Sequence, residues 1–180
     1  MEPAHRRLRP LLAALAAAAG LVPNTGRGET PDYALRADYL VKFGPFVDWP
    51  ANAFAAADSP FYICVIGDDP FGGGLEKAAE GQKVAAHPIK VRRVASAEGA
   101  GDCRIVYLAL PRGTIVTALA KLRGEPVLTV DEESAGVSGG IIQFQVKDGR
   151  LRFSIDTGAA TANHMMISAK LLNLAAQGGG

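Results

Sequence analysis

The sequence predicts an α/β fold: a single-domain, three-layer sandwich with a mixed, mostly parallel sheet and helices on both faces. Three observations carry the prediction. Phe61–Ile66 is a run of β-branched and aromatic types without a polar break, the pattern of a strand buried on both faces, and it leads straight into turn and helix signals. Cys103–Leu108 and Pro126–Val130 are further strongly apolar strands, joined by a helical stretch at Pro111–Arg123. A hairpin and a closing helix follow, giving the order helix, β-α-β, β-α-β, hairpin, helix. With 180 residues, 48% hydrophobic and 21% charged, the chain has ordinary globular composition and enough length for one domain with a sizeable core.

Met1–Val22 is expected to lie outside that fold. His5, Arg6, Arg7 and Arg9 form a basic start, Leu11–Val22 is a short Ala/Leu-rich run, and Ala17, Ala19 and Gly20 supply small residues for cleavage. Together they read as a secretory signal peptide, residues 1–22, with its end placed to within about six residues. The run is too short to span a bilayer, so the exported protein is expected to be soluble and outside the cytoplasm. Residues 23–31 read as a linker, 32–176 as the folded domain and 177–180 as a flexible Gly tail. Without the leader, 19 basic against 18 acidic residues become 16 against 17, since Arg6, Arg7, Arg9 and Glu2 are removed. No basic patch remains to recruit nucleic acid or anionic lipid.

Thr30-Pro31 is expected to open the first helix, in which Leu35, Tyr39, Leu40 and Phe43 recur at helical spacing until Gly44-Pro45 ends it. Phe46–Pro50 holds the only tryptophan and is expected to form a core seam under the helix end rather than a recognition surface. After the central strand, Gly67 and Asp68 turn the chain, Asp69 caps a helix and Pro70 takes its first position. That helix runs through Leu75, Ala78 and Ala79 to Glu80 and is ended by Gly81. Ile89–Val94 alternates as a strand with one wet face, and the Pro111–Arg123 helix puts Ile115, Leu119 and Leu122 on one side. Asp131–Gly140, acidic and then Gly-rich, has the composition of a mobile loop. Ile141–Val146 and Leu151–Ile155 flank Lys147-Asp148-Gly149-Arg150, a hairpin turn.

The closing helix is expected over about Ala159–Gln177. Ala162, Met165, Met166, Ala169 and Leu172 form one apolar stripe, and Ile167, Leu171 and Leu174 a second. A helix so widely apolar is usually buried on more than one side, within the core or against a partner subunit.

Few residues suggest chemistry. Gly67 and Gly72 have phosphate-loop spacing, but Gly73-Gly74 stands where Lys and Ser or Thr would hold phosphate and Mg²⁺. Lys77 replaces the third small residue of a dinucleotide fingerprint, and Asp68 and Asp69 would repel phosphate, so a structural turn is the better reading. Asp156-Thr157-Gly158 repeats the aspartic-protease triplet. A helix follows it where an all-β fold with a flap would be required, so Asp156 or Thr157 reads as a helix cap. His87 and His164 lack partners at informative spacing, Ser154 and Ser168 are isolated, and no catalytic, cofactor or metal site emerges.

Cys64 and Cys103 start or sit within the two most buried strands, and a flavodoxin-like strand order would make those strands neighbours. In an oxidising compartment the expected state of the pair is a disulfide closing a 39-residue loop. Two inert thiols and a reversible redox pair are the alternatives. A zinc site is excluded, because no second cysteine pair completes four ligands.

Tyr39-Leu40-Val41-Lys42-Phe43 with Phe46-Val47-x-Trp49-Pro50 comes first, then Ile63-Cys64-Val65-Ile66-Gly67-Asp68-Asp69-Pro70-Phe71-Gly72 and Cys103-x-Ile105-Val106-Tyr107-Leu108. Gly139-Gly140-Ile141-Ile142-x-Phe144, Arg152-Phe153-x-Ile155 and Ile167-Ser168-x-x-Leu171-Leu172-x-Leu174-Ala175 complete the set. In order and spacing, from about Tyr33 to Ala175, these segments resemble the YfiR/HmsC-type periplasmic protein family. The resemblance implies a non-enzymatic periplasmic repressor. It would bind the periplasmic sensor region of an inner-membrane diguanylate cyclase, hold cyclic-di-GMP synthesis off, and be sequestered by an outer-membrane lipoprotein. It also implies a homodimer, no cofactor, and a family disulfide at the positions of Cys64 and Cys103. Some members carry a second cysteine pair around the segment matching Val137–Phe144; this chain has none, which weighs against redox switching. Asp156 and Ala169 stand where the family usually has Asn and Ser. Ile167, Leu171 and Leu174 are then the candidate partner-facing residues. The competing reading is a secreted α/β small-ligand-binding module or enzyme that uses the Gly67–Gly74 turn.

Overall fold

The structure, a computed structural model, describes residues 32–133 and 139–178. The expected leader and linker, the Thr30-Pro31 helix opening and the middle of the Asp131–Gly140 loop lie outside the described residues.

Helix α1 (Tyr33–Phe43) is capped by Asp32, whose side chain accepts the Leu35 N–H at 2.9 Å. A 3-10 turn at Gly44–Phe46 leads to the short strand β1 (Val47–Asp48). Trp49 turns back here: its indole N–H donates to Gly44 O at 3.1 Å and its ring meets Phe61 edge-on at 5.3 Å. The aromatic cluster is therefore a core seam, as its composition suggested.

β2 (Phe61–Gly67) lies in the middle of the main sheet, with Phe61 and Ile63–Ile66 almost inaccessible. α2 (Gly74–Ala79) follows, then β3 (Lys83–Val84), β4 (His87–Val94), a 3-10 turn at Ala97–Ala100 and β5 (Cys103–Ala109). Next come α3 (Arg112–Leu122), β6 (Leu128–Glu132), β7 (Ile142–Lys147) and β8 (Arg150–Ile155). The strand order is β3-β4-β2-β5-β6-β7-β8. β4, β2, β5, β6 and β7 are parallel, with β3 and β8 antiparallel at the two edges. The first parallel strand sits between the second and third, which is the flavodoxin-like order.

Each face of the sheet has its own core. On one face Leu40 and Phe43 of α1 and Leu75 of α2 pack on Ile63, Ile105, Leu128 and Phe144. On the other, Ile115, Ala118 and Leu122 of α3 and Ala100 of the 3-10 turn pack on Cys64, Ile66, Val106 and Leu108. The three layers are those expected from the apolar runs.

Two elements differ from expectation. α2 starts at Gly74, four residues later than Pro70, and Asp69 caps no helix; its carboxylate accepts the Phe71 N–H at 2.8 Å in a tight turn. Three successive glycines make an early helical start entropically costly. The closing helix is two helices, α4 (Thr157–Ala162) and α5 (Ala169–Gly178), separated by β9 (Met166–Ile167), which pairs antiparallel with β1. α4 stops because His164 is left-handed, at φ 58°. The Met165 N–H then bonds Ala160 O at 3.0 Å and the His164 N–H bonds Thr161 O at 3.0 Å, a Schellman cap. Buried Asn163 fixes the stop. Its side chain accepts from Gly124 N and donates to Val127 O and Leu122 O, at 2.9, 3.0 and 3.3 Å. α5 runs through Gly178, and the last two residues of the expected Gly tail lie outside the described residues.

Candidate functional site

In this topology ligands bind outside the carboxyl ends of the strands where the order reverses, here between β2 and β5. Gly67 ends β2 at φ +95°, and a Cβ there would collide with Ala109 O. The Asp68 N–H bonds that same carbonyl at 3.0 Å. The glycine lets the end of β2 lie directly against the backbone of β5, where Gly67 pairs with Ala109. The rest of the turn is closed by Arg93, whose guanidinium reaches Asp69 at 2.5 Å and Gly72 O at 2.6 Å and pairs with Glu76. A cation of the chain itself thus already holds Asp69 and Gly72 O of the Gly67–Gly74 turn.

Beside it lies a cavity of about 230 Å³ lined by Tyr33, Asp68, Tyr107, Arg112 and Glu132. Two of its lining residues, Tyr107 and Glu132, belong to a hydrogen-bonded network with Arg36. Arg36 of α1 grips Glu132 with two hydrogen bonds, 2.6 and 2.9 Å, and the Tyr107 hydroxyl donates to Glu132 at 2.9 Å. The bond to Glu132 holds the Arg36 guanidinium above its ordinary pKa; burial, reinforced by Glu132, pushes the Tyr107 phenol up. This network ties α1 to β6. The sequence hid it, because Arg36 and Glu132 are 96 positions apart.

The other sequence candidates fall to structural roles. Asp156 caps α4 by accepting the Ala159 N–H at 2.8 Å. His87 Nδ1 donates to Ser59 O at 2.7 Å and its ring stacks on Phe54 at 3.7 Å. His164 is the exposed residue of the Schellman turn, Ser154 is exposed on β8, and the Ser168 hydroxyl accepts the Leu171 N–H at 3.3 Å at the start of α5. Among the described residues no group of three or more His, Cys, Asp and Glu could hold a metal ion. Cys64 and Cys103 are joined by a disulfide across β2 and β5, with Cα atoms 5.9 Å apart.

Residues 33–176 match the YfiR/HmsC-like family. The chain belongs to the YfiR/HmsC-like family. No curated protein matches it. YfiR/HmsC-like proteins are generally regulatory and non-catalytic.

In this YfiR/HmsC-like chain the candidate partner-facing residues separate. Leu171 is 2% exposed and packs in the core, so it is no surface contact of the folded chain. Ile167 is half-buried in β9 opposite Val47, Leu174 is 47% exposed, and Met166, unremarked in the second stripe, is 69% exposed. Breaking the helix at Asn163 re-sorts the stripes. A groove of about 510 Å³ also runs between α3 and α4, with Val116, Leu119, Ala120, Ala159 and Ala162 along its walls and Thr129 in its floor.

Asp131, assigned to a loop by composition, lies in β6 and is 1% exposed. Its carboxylate accepts the Gly140 N–H at 3.1 Å. Gly140 lies so close over β6 that a Cβ would stand 2.7 Å from Thr129 O. Burial pushes the Asp131 carboxyl up to about 6, against the hydrogen bonds from Gly140 and Gln143. A carboxyl raised above its unfolded value adds stability that is full below about pH 4 and lost as pH rises through about 6. Asp131→Asn is therefore expected to stabilise the domain by about 2 kcal/mol at neutral pH and to flatten its pH dependence. Urea unfolding on either side of that window measures both effects.

Proposed function

We propose that the chain is a periplasmic repressor that binds the periplasmic sensor region of an inner-membrane diguanylate cyclase and lowers cyclic-di-GMP. The observation that carries this reading is the family match across residues 33–176. The disulfide suits export to an oxidising compartment, and the leader-like first 22 residues suggest the route. The protein acts as a homodimer, needs no cofactor, and is open to sequestration by an outer-membrane lipoprotein.

A repressor without catalysis works by differential binding: it shifts the cyclase only by contacting the inactive arrangement better. The near-neutral exported chain has little long-range steering to offer, so apolar contact and shape carry recognition. Exposed Met166 and Leu174, with half-buried Ile167, offer such a face on β9 and α5, and Leu171 supports it from the core.

The test is to mix the purified exported chain with the periplasmic sensor region of a membrane diguanylate cyclase from the same organism. A complex is expected on gel filtration. Met166→Glu with Leu174→Glu should weaken it by about tenfold or more, with melting temperature unchanged. No complex, together with saturable binding of a small ligand that Asp68→Ala abolishes, would favour the secreted ligand-binding module.

A further inference from the structure

β8 forms one edge of the seven-stranded sheet. Two hydrogen bonds determine which of its backbone groups face outward. The Glu133 N–H donates to Phe144 O at 2.7 Å and the Asp156 N–H to Ile141 O at 2.8 Å. Phe144 thus turns its backbone toward β6, and Gln143, Gln145 and Lys147 bond to their β8 partners Ser154, Arg152 and Arg150. Leu151, Phe153 and Ile155 point their N–H and C=O groups away from the sheet. No described backbone group bonds them there. Arg150 and Arg152 have no ion-pair partner among the described residues.

We propose that β8 pairs antiparallel with β8 of a second copy about Phe153, joining two sheets into one. Outward groups must meet outward groups, which leaves few registers. Pairing centred on Leu151 sets Arg150 against Arg152 of the second copy, and centring on Arg152 sets that residue against itself; like charges directly opposite destabilise a sheet. Centring on Ser154 leaves Leu151 opposite Thr157, already in α4. Centring on Phe153 places Leu151 opposite Ile155, Arg152 opposite Ser154 and Arg150 opposite Asp156. All three outward residues then exchange their hydrogen bonds and one charge pair is complementary.

On the face that carries α1, the register also extends an apolar row. Val146, 56% exposed, lies beside Leu151, and Ile155 of the second copy continues the row. Charges on an edge strand usually oppose pairing; here they penalise the registers centred on Leu151 and Arg152, while the register centred on Ser154, which sets Arg152 against Asp156, is limited by the start of α4. The proposal deepens the homodimer in the reading above but needs no cyclase. Its failure would leave the repressor function standing.

Sedimentation of the purified exported chain tests it first, with a concentration-dependent dimer expected. Leu151→Pro removes an outward N–H but no bond to β7, a position where an edge strand tolerates proline. It should weaken the dimer by about tenfold or more. Should that variant fail to fold, separately made Arg152→Cys and Ser154→Cys proteins keep the idea testable. These positions form a close, non-hydrogen-bonded pair within disulfide reach. A covalent dimer should form on mixing under mild oxidation and far less with either protein alone. A chain that stays monomeric, or a dimer indifferent to Leu151→Pro that gives no cross-link on mixing, would overturn the proposal.

Discussion

Replacing Cys64 and Cys103 together by Ala is expected to lower the melting temperature by about 10 °C. The disulfide closes 39 residues, for which chain-entropy reasoning gives about 3–4 kcal/mol. In a domain of this size each kcal/mol moves the midpoint by about 2–4 °C. Both cysteines are buried between α3 and the sheet, so the lost contacts add to the loss rather than offset it. Calorimetry of the wild type with a strong reductant should show most of the same drop, less the part due to the contacts that Ala loses. A variant melting within about 2 °C of the oxidised wild type would show that the unbridged chain is already constrained there.

Leu171→Glu should cost more. The side chain packs in the same core as Met165, Phe43 and Phe153, and a carboxylate placed there has no partner. The expected loss is about 4 kcal/mol or more, enough to leave a domain of ordinary stability marginal or unfolded. Leu174→Glu, three residues along α5 but exposed, should leave the melting temperature within about 2 °C of wild type. Equal effects of the two substitutions on melting would mean that α5 does not pack as described. Circular dichroism melts of the pair decide the matter.

The contrast between Leu171 and Leu174 also marks where the sequence stopped being legible. Long apolar runs specified their strands clearly, because Phe61–Ile66 and Cys103–Leu108 have no other stable home than mid-sheet. Neighbouring runs with a cysteine each then pointed to the bridge. The closing segment misled, since its 3.6-residue period continues across Asn163 and His164 while long-range bonds from Asn163 to Gly124 and Val127 end the helix. Nothing local signals partners almost 40 positions away. Arg36, Tyr107 and Glu132 were hidden for the same reason: each looks like an ordinary strand or helix residue until the fold brings them together. Asp131 was lost to composition, where an acidic and Gly-rich run resembles a loop although its first two residues complete β6.

The most direct test of the proposed repressor function is the cellular cyclic-di-GMP level, measured by mass spectrometry in a strain that carries the proposed partner cyclase and lacks this chain. Supplying the exported chain should lower the level several-fold, and supplying it without residues 1–22 should leave it unchanged. Met166→Glu with Leu174→Glu, folded and exported, should also fail to lower it. An unchanged cyclic-di-GMP level with abundant, folded wild-type protein in the periplasm would contradict the repressor function.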